Sequence, residues 1–141
     1  MYLLDTCVFS ELIKKEASLS VIEWVLGKDD NLFSVCSLTF GEIRKGIEKM
    51  AESARKKKLE AWYQEFLIPR FWHRIVPIDG QVAGVWGELI AKAEKKGRVL
   101  PTIDSLIAAA CITHNLHLVT RNIKDFQGLD LTIVNPWVQP H

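Results

Sequence analysis

The sequence holds only three cysteines, Cys7, Cys36 and Cys111, widely spaced and with no CxxC pair among them. That argues against a disulfide framework or a zinc site and for buried thiols in a reducing cytoplasm. No run of about 18 consecutive apolar residues occurs, so no membrane-spanning helix is expected. The N-terminus lacks the basic, apolar, small-residue order of a secretory leader, because the acidic Asp5 arrives almost at once. Three phosphate or nucleophile signatures are also missing. There is no G-x-x-x-x-G-K-[ST], no G-x-G-x-x-G after a strand, and no G-x-S-x-G. A D-x-D nucleophile motif is absent too, since Cys7 stands two residues after Asp5. His114 and His117 lie three apart, but residue 117 opens an expected strand, so they share no helix face and read as structural.

An excess of one charge is also lacking. Eighteen Lys plus Arg stand against 17 Asp plus Glu, for a formal net charge of +1. The total shows no nucleic-acid footprint. Position changes that reading. Residues 44–58 carry seven basic and two acidic residues, and residues 92–98 four basic and one acidic. The remainder of the chain is therefore acidic. These basic segments are either solvated helix faces or local contacts for phosphates.

What is present suits one compact domain over residues 1–141, with 48% hydrophobic and 25% charged residues. Short apolar runs at Tyr2-Leu3-Leu4, 32–36, 73–78, 117–120 and 131–134 read as strands. Helical patterns fill the intervals. A short helix is expected from Ser10, a second from Ser18 or Ser20 to Leu26, a third over 38–50 and a fourth from about Glu52 until Pro69 ends it. Val82, Val85, Trp86, Leu89, Ile90 and Ala93 make the clearest apolar stripe, with Gly97 placed for a left-handed cap. Pro101 opens a last long helix that Asn115 closes. Strands alternating with amphipathic helices predict an α/β three-layer sandwich, a mainly parallel sheet of about five strands flanked by helices.

Ligands in such a sheet sit at the carboxyl ends of the strands. Asp5 and Thr6 follow the first strand; Glu42 lies just beyond the second. Asp104 falls in the first turn of its helix, and Thr120, Arg121, Asn122 and Asp125 cluster after the fourth strand. Carboxylates gathered on one edge repel one another unless a cation neutralises them. An oxygen-only set suits a hard divalent ion, which can polarise a phosphodiester and activate water. Each residue also has a plainer reading. Asp5 can cap the next helix, Glu42 can close a capping box with Thr39, Asp104 suits a helix N-terminus, and Asp125 can start the turn before Gly128.

Taken in order, these pieces resemble the PIN-domain family, specifically its VapC-type toxins. They are Leu4-Asp5-Thr6-Cys7-Val8, Gly41-Glu42-Ile43 with Gly46, residues 100–109 (LPTIDSLIAA), Leu118-Val119-Thr120-Arg121-Asn122 with Asp125-Phe126, and Asn135-Pro136-Trp137. The last two look most like a FitB-like subgroup. The resemblance spans nearly the whole chain. It implies a PIN-like sandwich and an Mg²⁺-dependent endoribonuclease, with Mn²⁺ able to substitute. Asp5, Glu42 and Asp104 match the family's acidic, metal-holding positions, and Thr6 and Thr120 its hydroxyl residues near the site. The fourth acidic position is Asn122 here, so Asn122 or Asp125 is expected to complete the site. The resemblance further implies a homodimer, alone or within a higher toxin–antitoxin assembly, silenced by a VapB-type antitoxin. That partner would lie in a groove and place a cation among the carboxylates, and Leu12, Ile13, Val21, Trp24 and Val25 are candidates for the groove. A PIN-like protein that binds RNA or its partner without cutting is the alternative.

Overall fold

In the computed structural model, which describes residues 1–138, five short strands form one parallel sheet. The last three residues of the expected domain, 139–141, lie outside the described residues. The strands are β1 (Tyr2–Leu4), β2 (Phe33–Cys36), β3 (Ile75–Val76), β4 (His117–Val119) and β5 (Ile133–Val134). Their order across the sheet is β3-β2-β1-β4-β5, and every pairing is parallel. The first strand of the chain is thus the central one.

The strands are apolar on both faces, and their period of two sorts residues between two cores. Leu3, Cys36 and Leu118 join one apolar cluster with the helices α6 (Gly80–Lys95) and α7 (Thr102–His114). Their sequence neighbours Leu4, Val35 and Val119 join the other, beneath α1 (Thr6–Leu12), α2 (Leu19–Leu26), α3 (Ser37–Glu48), α4 (Ala54–Trp62) and α5 (Ile68–Phe71). Two helical layers around one sheet make the expected sandwich. A short α8 (Ile123–Phe126) links β4 to β5. None of the described helices is long and apolar enough to cross a membrane.

Helix ends explain where the sequence expectations moved. The first helix begins at Thr6, not Ser10, because Asp5 caps it by accepting the Thr6 N–H at 2.8 Å. Ser53 caps α4 through the Lys56 N–H, so that helix starts later than Glu52. Pro69 does not end it. Its ring would clash with the carbonyl of residue 65 in a regular helix. A widened π turn over Tyr63–Leu67, with the Ile68 N–H reaching the Tyr63 carbonyl, carries the chain past that point into α5.

Gly97 adopts the left-handed conformation expected of it, with φ of 72°. Asn115 closes α7 at φ of 53°, where its backbone N–H still meets the α7 carbonyls. A β-carbon is strained there, and Asn tolerates it better than most side chains. Asn115→Ala is therefore expected to lower unfolding free energy by about 1 kcal/mol in urea titration, whereas Asn115→Gly leaves it unchanged or raises it.

Candidate active site

The carboxyl end of the central strand delivers Asp5, and its two oxygens do different work. Oδ1 accepts the Thr6 N–H at 2.8 Å and so caps α1. Oδ2 accepts the Thr120 hydroxyl at 2.8 Å from the end of neighbouring β4. Thr120 is fully buried, and its oxygen in turn accepts the Asn122 N–H at 3.0 Å. The Asp5 backbone N–H is tied to the Val119 carbonyl at 3.0 Å. Capping and site membership are thus properties of one side chain.

Glu42 arrives from α3 on the other side. The Thr6 hydroxyl donates to Glu42 Oε1 at 2.8 Å, which joins the first turn of α1 to α3. The capping box with Thr39 is not formed. The α3 helix starts at Ser37 with Cys36 at its N-cap, and the Thr39 hydroxyl is buried with no hydrogen-bond partner. Thr39 lies inside the first turn, too late to cap it, and Glu42 is left to face the site. Asp104 comes from the first turn of α7.

These residues line one cavity of about 500 Å³, bounded by Asp5, Thr6, Cys7, Glu42, Asp104, Arg121 and Asn122. Thr120 lies behind it. Asp125 sits at its margin on α8 and accepts the Asn122 Nδ2–H at 2.5 Å. The plainer reading of Asp125, as a turn starter, does not describe this placement. Sequence reasoning missed Cys7 as a wall of the cavity. Its Sγ lies 3.5 Å from Thr120 Oγ1, and burial followed by the Asp5 charge pushes its thiol up. Arg98, one of the basic residues in 92–98, has a structural role that the sequence does not signal. It donates to the carbonyls of Gln127 and, at 3.3 Å, Asp125, pinning the end of α8.

Electrostatics show the strain of this arrangement. Burial raises the Asp5 carboxyl, Thr120 and the Thr6 N–H pull it back, and Glu42 raises it further. Asp104 is pushed up to about 6, by burial first and then by the charges of Asp5, Asp125 and Glu42. A carboxyl raised this way favours a counter-cation. Among the described residues no three carboxylate, thiol or imidazole side chains close into a ready coordination cage. Without such a cage, an ion here would keep several of its waters, the habit of Mg²⁺. The oxygen-only carboxylates fit such a hard cation.

The basic segment over residues 44–58 is divided. Lys56 is buried against Glu52 at 2.7 Å and Arg44 pairs with Glu48 at 3.1 Å, while Lys45, Lys49, Arg55, Lys57 and Lys58 are exposed. The candidate groove residues are divided as well. Val21 is fully buried and belongs to the core, and Trp24 stacks edge-on against Tyr2 at 5.1 Å. Leu12, Ile13 and Val25 do line an apolar cleft of about 240 Å³, with Trp62, Phe66 and Arg70 across from them.

With this geometry described, comparison with known proteins assigns the class. The PIN domain family matches residues 2–130, and the chain belongs to that family. Two relatives align over 97% of this chain. Toxin FitB of Neisseria gonorrhoeae is 30% identical and covered over 99% of its length, and the VapC ribonuclease Y4jK of Sinorhizobium fredii is 29% identical and covered over 98%. The structure of FitAB bound to an IR36 DNA fragment superposes with a TM-score of 0.94 at 28% identity, covering 100% of this chain and 99% of that one.

Asp104 supplies a pH test. Its carboxyl ionises near 6 when folded but near 3.8 as a free side chain, so the folded state holds its proton more tightly. Stability from this group is present below pH 4 and is lost as pH rises through 6. In EDTA, the melting temperature of the wild type is expected to fall relative to Asp104→Asn between pH 4 and 7. Parallel pH profiles for the two proteins would refute the assignment.

Proposed function

We propose that this protein is the toxin of a toxin–antitoxin pair, acting in the cytoplasm as an endoribonuclease that depends on Mg²⁺, with Mn²⁺ able to substitute. The observation that carries the reading is the convergence of Asp5, Glu42 and Asp104 on one cavity at the carboxyl edge of the sheet. Relatives over almost the full chain bear the names ribonuclease and toxin.

Asp5 and Asp104 would hold the ion, with Glu42 as a third ligand and Asn122 or Asp125 completing the site. When bound, a divalent cation supplies a Lewis acid and makes water a stronger nucleophile at neutral pH. The remaining work belongs to the protein. Thr120 and the Thr6 N–H hold both oxygens of Asp5 and oppose the upward push that burial gives its carboxyl. Thr6 orients Glu42. Asn122 brings an amide where many family members carry a carboxylate, and it tethers Asp125 beside Asp104. Arg121 gives the cavity a cation for a phosphate oxygen. The exposed lysines and arginines of α3 and α4 can grip RNA locally.

The same acids offer a route to silencing. A VapB-type antitoxin segment seated in the apolar cleft beside α1 could present an Arg or Lys to the carboxylates and compete with the metal. A homodimer, alone or within a larger toxin–antitoxin assembly, completes this reading. A second reading, RNA or partner binding without cleavage, draws on Asn122, which leaves the site one charge short.

Incubation of RNA with the purified protein tests both. Cleavage is expected with Mg²⁺ or Mn²⁺ and none with EDTA. Asp5→Asn and Asp104→Asn should each lower the rate by about 100-fold or more. Activity that survives chelation or either substitution overturns the metal mechanism. RNA retained without products at saturating Mn²⁺ favours the second reading.

A further inference from the structure

Arg121 is exposed and lines the cavity that also holds Asp5, Glu42 and Asp104, yet it forms no ion pair among the described residues. A guanidinium beside unneutralised carboxylates is drawn onto them, and the bidentate Arg–carboxylate pair is the strongest contact open to it. Something keeps it away. Its guanidinium carbon lies 5.6 Å from the ring centre of Trp137, within the range of a cation–π contact.

Trp137 is itself held from several sides. Its backbone N–H donates to Asn135 Oδ1 at 2.9 Å, and the preceding Pro136 carbonyl accepts the Ser20 hydroxyl at 2.7 Å. Its indole Nε1–H donates to Glu11 Oε1 at 2.9 Å. Glu11 is a carboxylate only 6% exposed, and its other oxygen accepts the Ser18 N–H at 3.2 Å. A buried carboxylate is costly and needs its hydrogen bonds. Here one of them fixes the plane of an indole near the end of the chain, far in sequence from α1.

We infer that Trp137 is a positioning residue that holds Arg121 open at the rim of the acidic cavity. Arg121 then takes a substrate phosphate and does not close on the carboxylates that would hold the metal. The contact with a phosphate rests on the ribonuclease reading; the separation of Arg121 from the acids does not. Loss of the indole lets the guanidinium fall onto Asp5, Glu42 or Asp104, where it competes with a divalent ion. The inference therefore gives Trp137 an effect on metal affinity although it touches no carboxylate of the cavity.

Mn²⁺ titration calorimetry on the full chain at pH 7.5 reads this directly, with thermal melts to verify folding. Trp137→Leu is expected to weaken Mn²⁺ binding by about two- to fivefold, the order of a lost exposed cation–π contact. Arg121→Ala in the same background should restore it, and Trp137→Phe, which keeps a π face, should retain most of the wild-type affinity. Arg121→Ala alone should bind Mn²⁺ at least as well as wild type but raise KM for RNA. If Trp137→Leu does not fold, Arg121→Lys carries the test. Lysine stacks poorly and should bind Mn²⁺ more weakly than Arg121→Ala. Equal Mn²⁺ affinity in Trp137→Leu and wild type, or no recovery in the double variant, overturns the inference; with Arg121→Lys, affinity equal to Arg121→Ala does so. A wild type that binds Mn²⁺ without cutting RNA removes the ribonuclease reading alone, since the order of Mn²⁺ affinities still decides this one.

Discussion

Mutual repulsion among carboxylates is the constraint on which the rest of this molecule depends. Asp5, Glu42, Asp104 and Asp125 come from four different elements; the charge of Glu42 raises Asp5, and the charges of Asp5, Asp125 and Glu42 raise Asp104. Burial aggravates the effect, because it removes the water that would screen them. In this group Asp5, Glu42 and Asp125 are tied down individually, and Asp104 is placed by the first turn of α7. The hydroxyls of Thr6 and Thr120, the Asn122 amide and the first backbone N–H of α1 each bind one of the acids. None of these ties is a salt bridge. The site is held together by neutral donors, which keep the acids in place without neutralising them.

The sheet order makes this possible. With β1 at the centre, the carboxyl ends of β2 and β4 lie on either side of Asp5. The helix after β2 brings Glu42 and the turn after β4 brings Thr120 to Asn122. Two apolar layers clamp the short strands, so a sheet with strands of two to four residues is rigid enough to aim the donors. The tie between Arg98 and the carbonyls of Asp125 and Gln127 extends that rigidity to α8, whose Phe126 is buried in the core shared with α6 and α7.

The layer order and most of the acidic site were legible in the sequence, since apolar period and strand-end position are local signals. Asp5, Glu42 and Asp104 do share one cavity at the carboxyl edge, Gly97 took the left-handed cap expected of it, and Asn115 closed α7 as expected, in a left-handed conformation that the sequence does not specify. Other features were not legible, for a physical reason in each case. Thr39-x-x-Glu42 satisfies a capping pattern, but the helix had already begun at Ser37, and register cannot be read from four residues. Pro69 breaks an ideal helix but not one that widens ahead of it. Cys7 and Trp137 lie in segments that carry the family resemblance and Glu11 in none, but no local pattern gives any of them a role. Their meaning comes from partners more than a hundred residues away, Thr120 for the first and each other for the second pair.

The central position of β1 also bears on the order of events during synthesis. β1 leaves the ribosome long before β4, with which it pairs, and Asp5 meets Thr120 across 115 positions of chain. Contacts so distant in sequence must wait for loop closure and form late. Translation runs at about 5–20 residues per second, so several seconds separate the appearance of Asp5 from that of Thr120. Through that interval the nascent chain lacks the central pairing of its sheet and the hydroxyl that steadies Asp5. A chain that stalls before residue 120 never assembles its acidic edge. The topology thus acts as a completeness check, withholding the site from fragments.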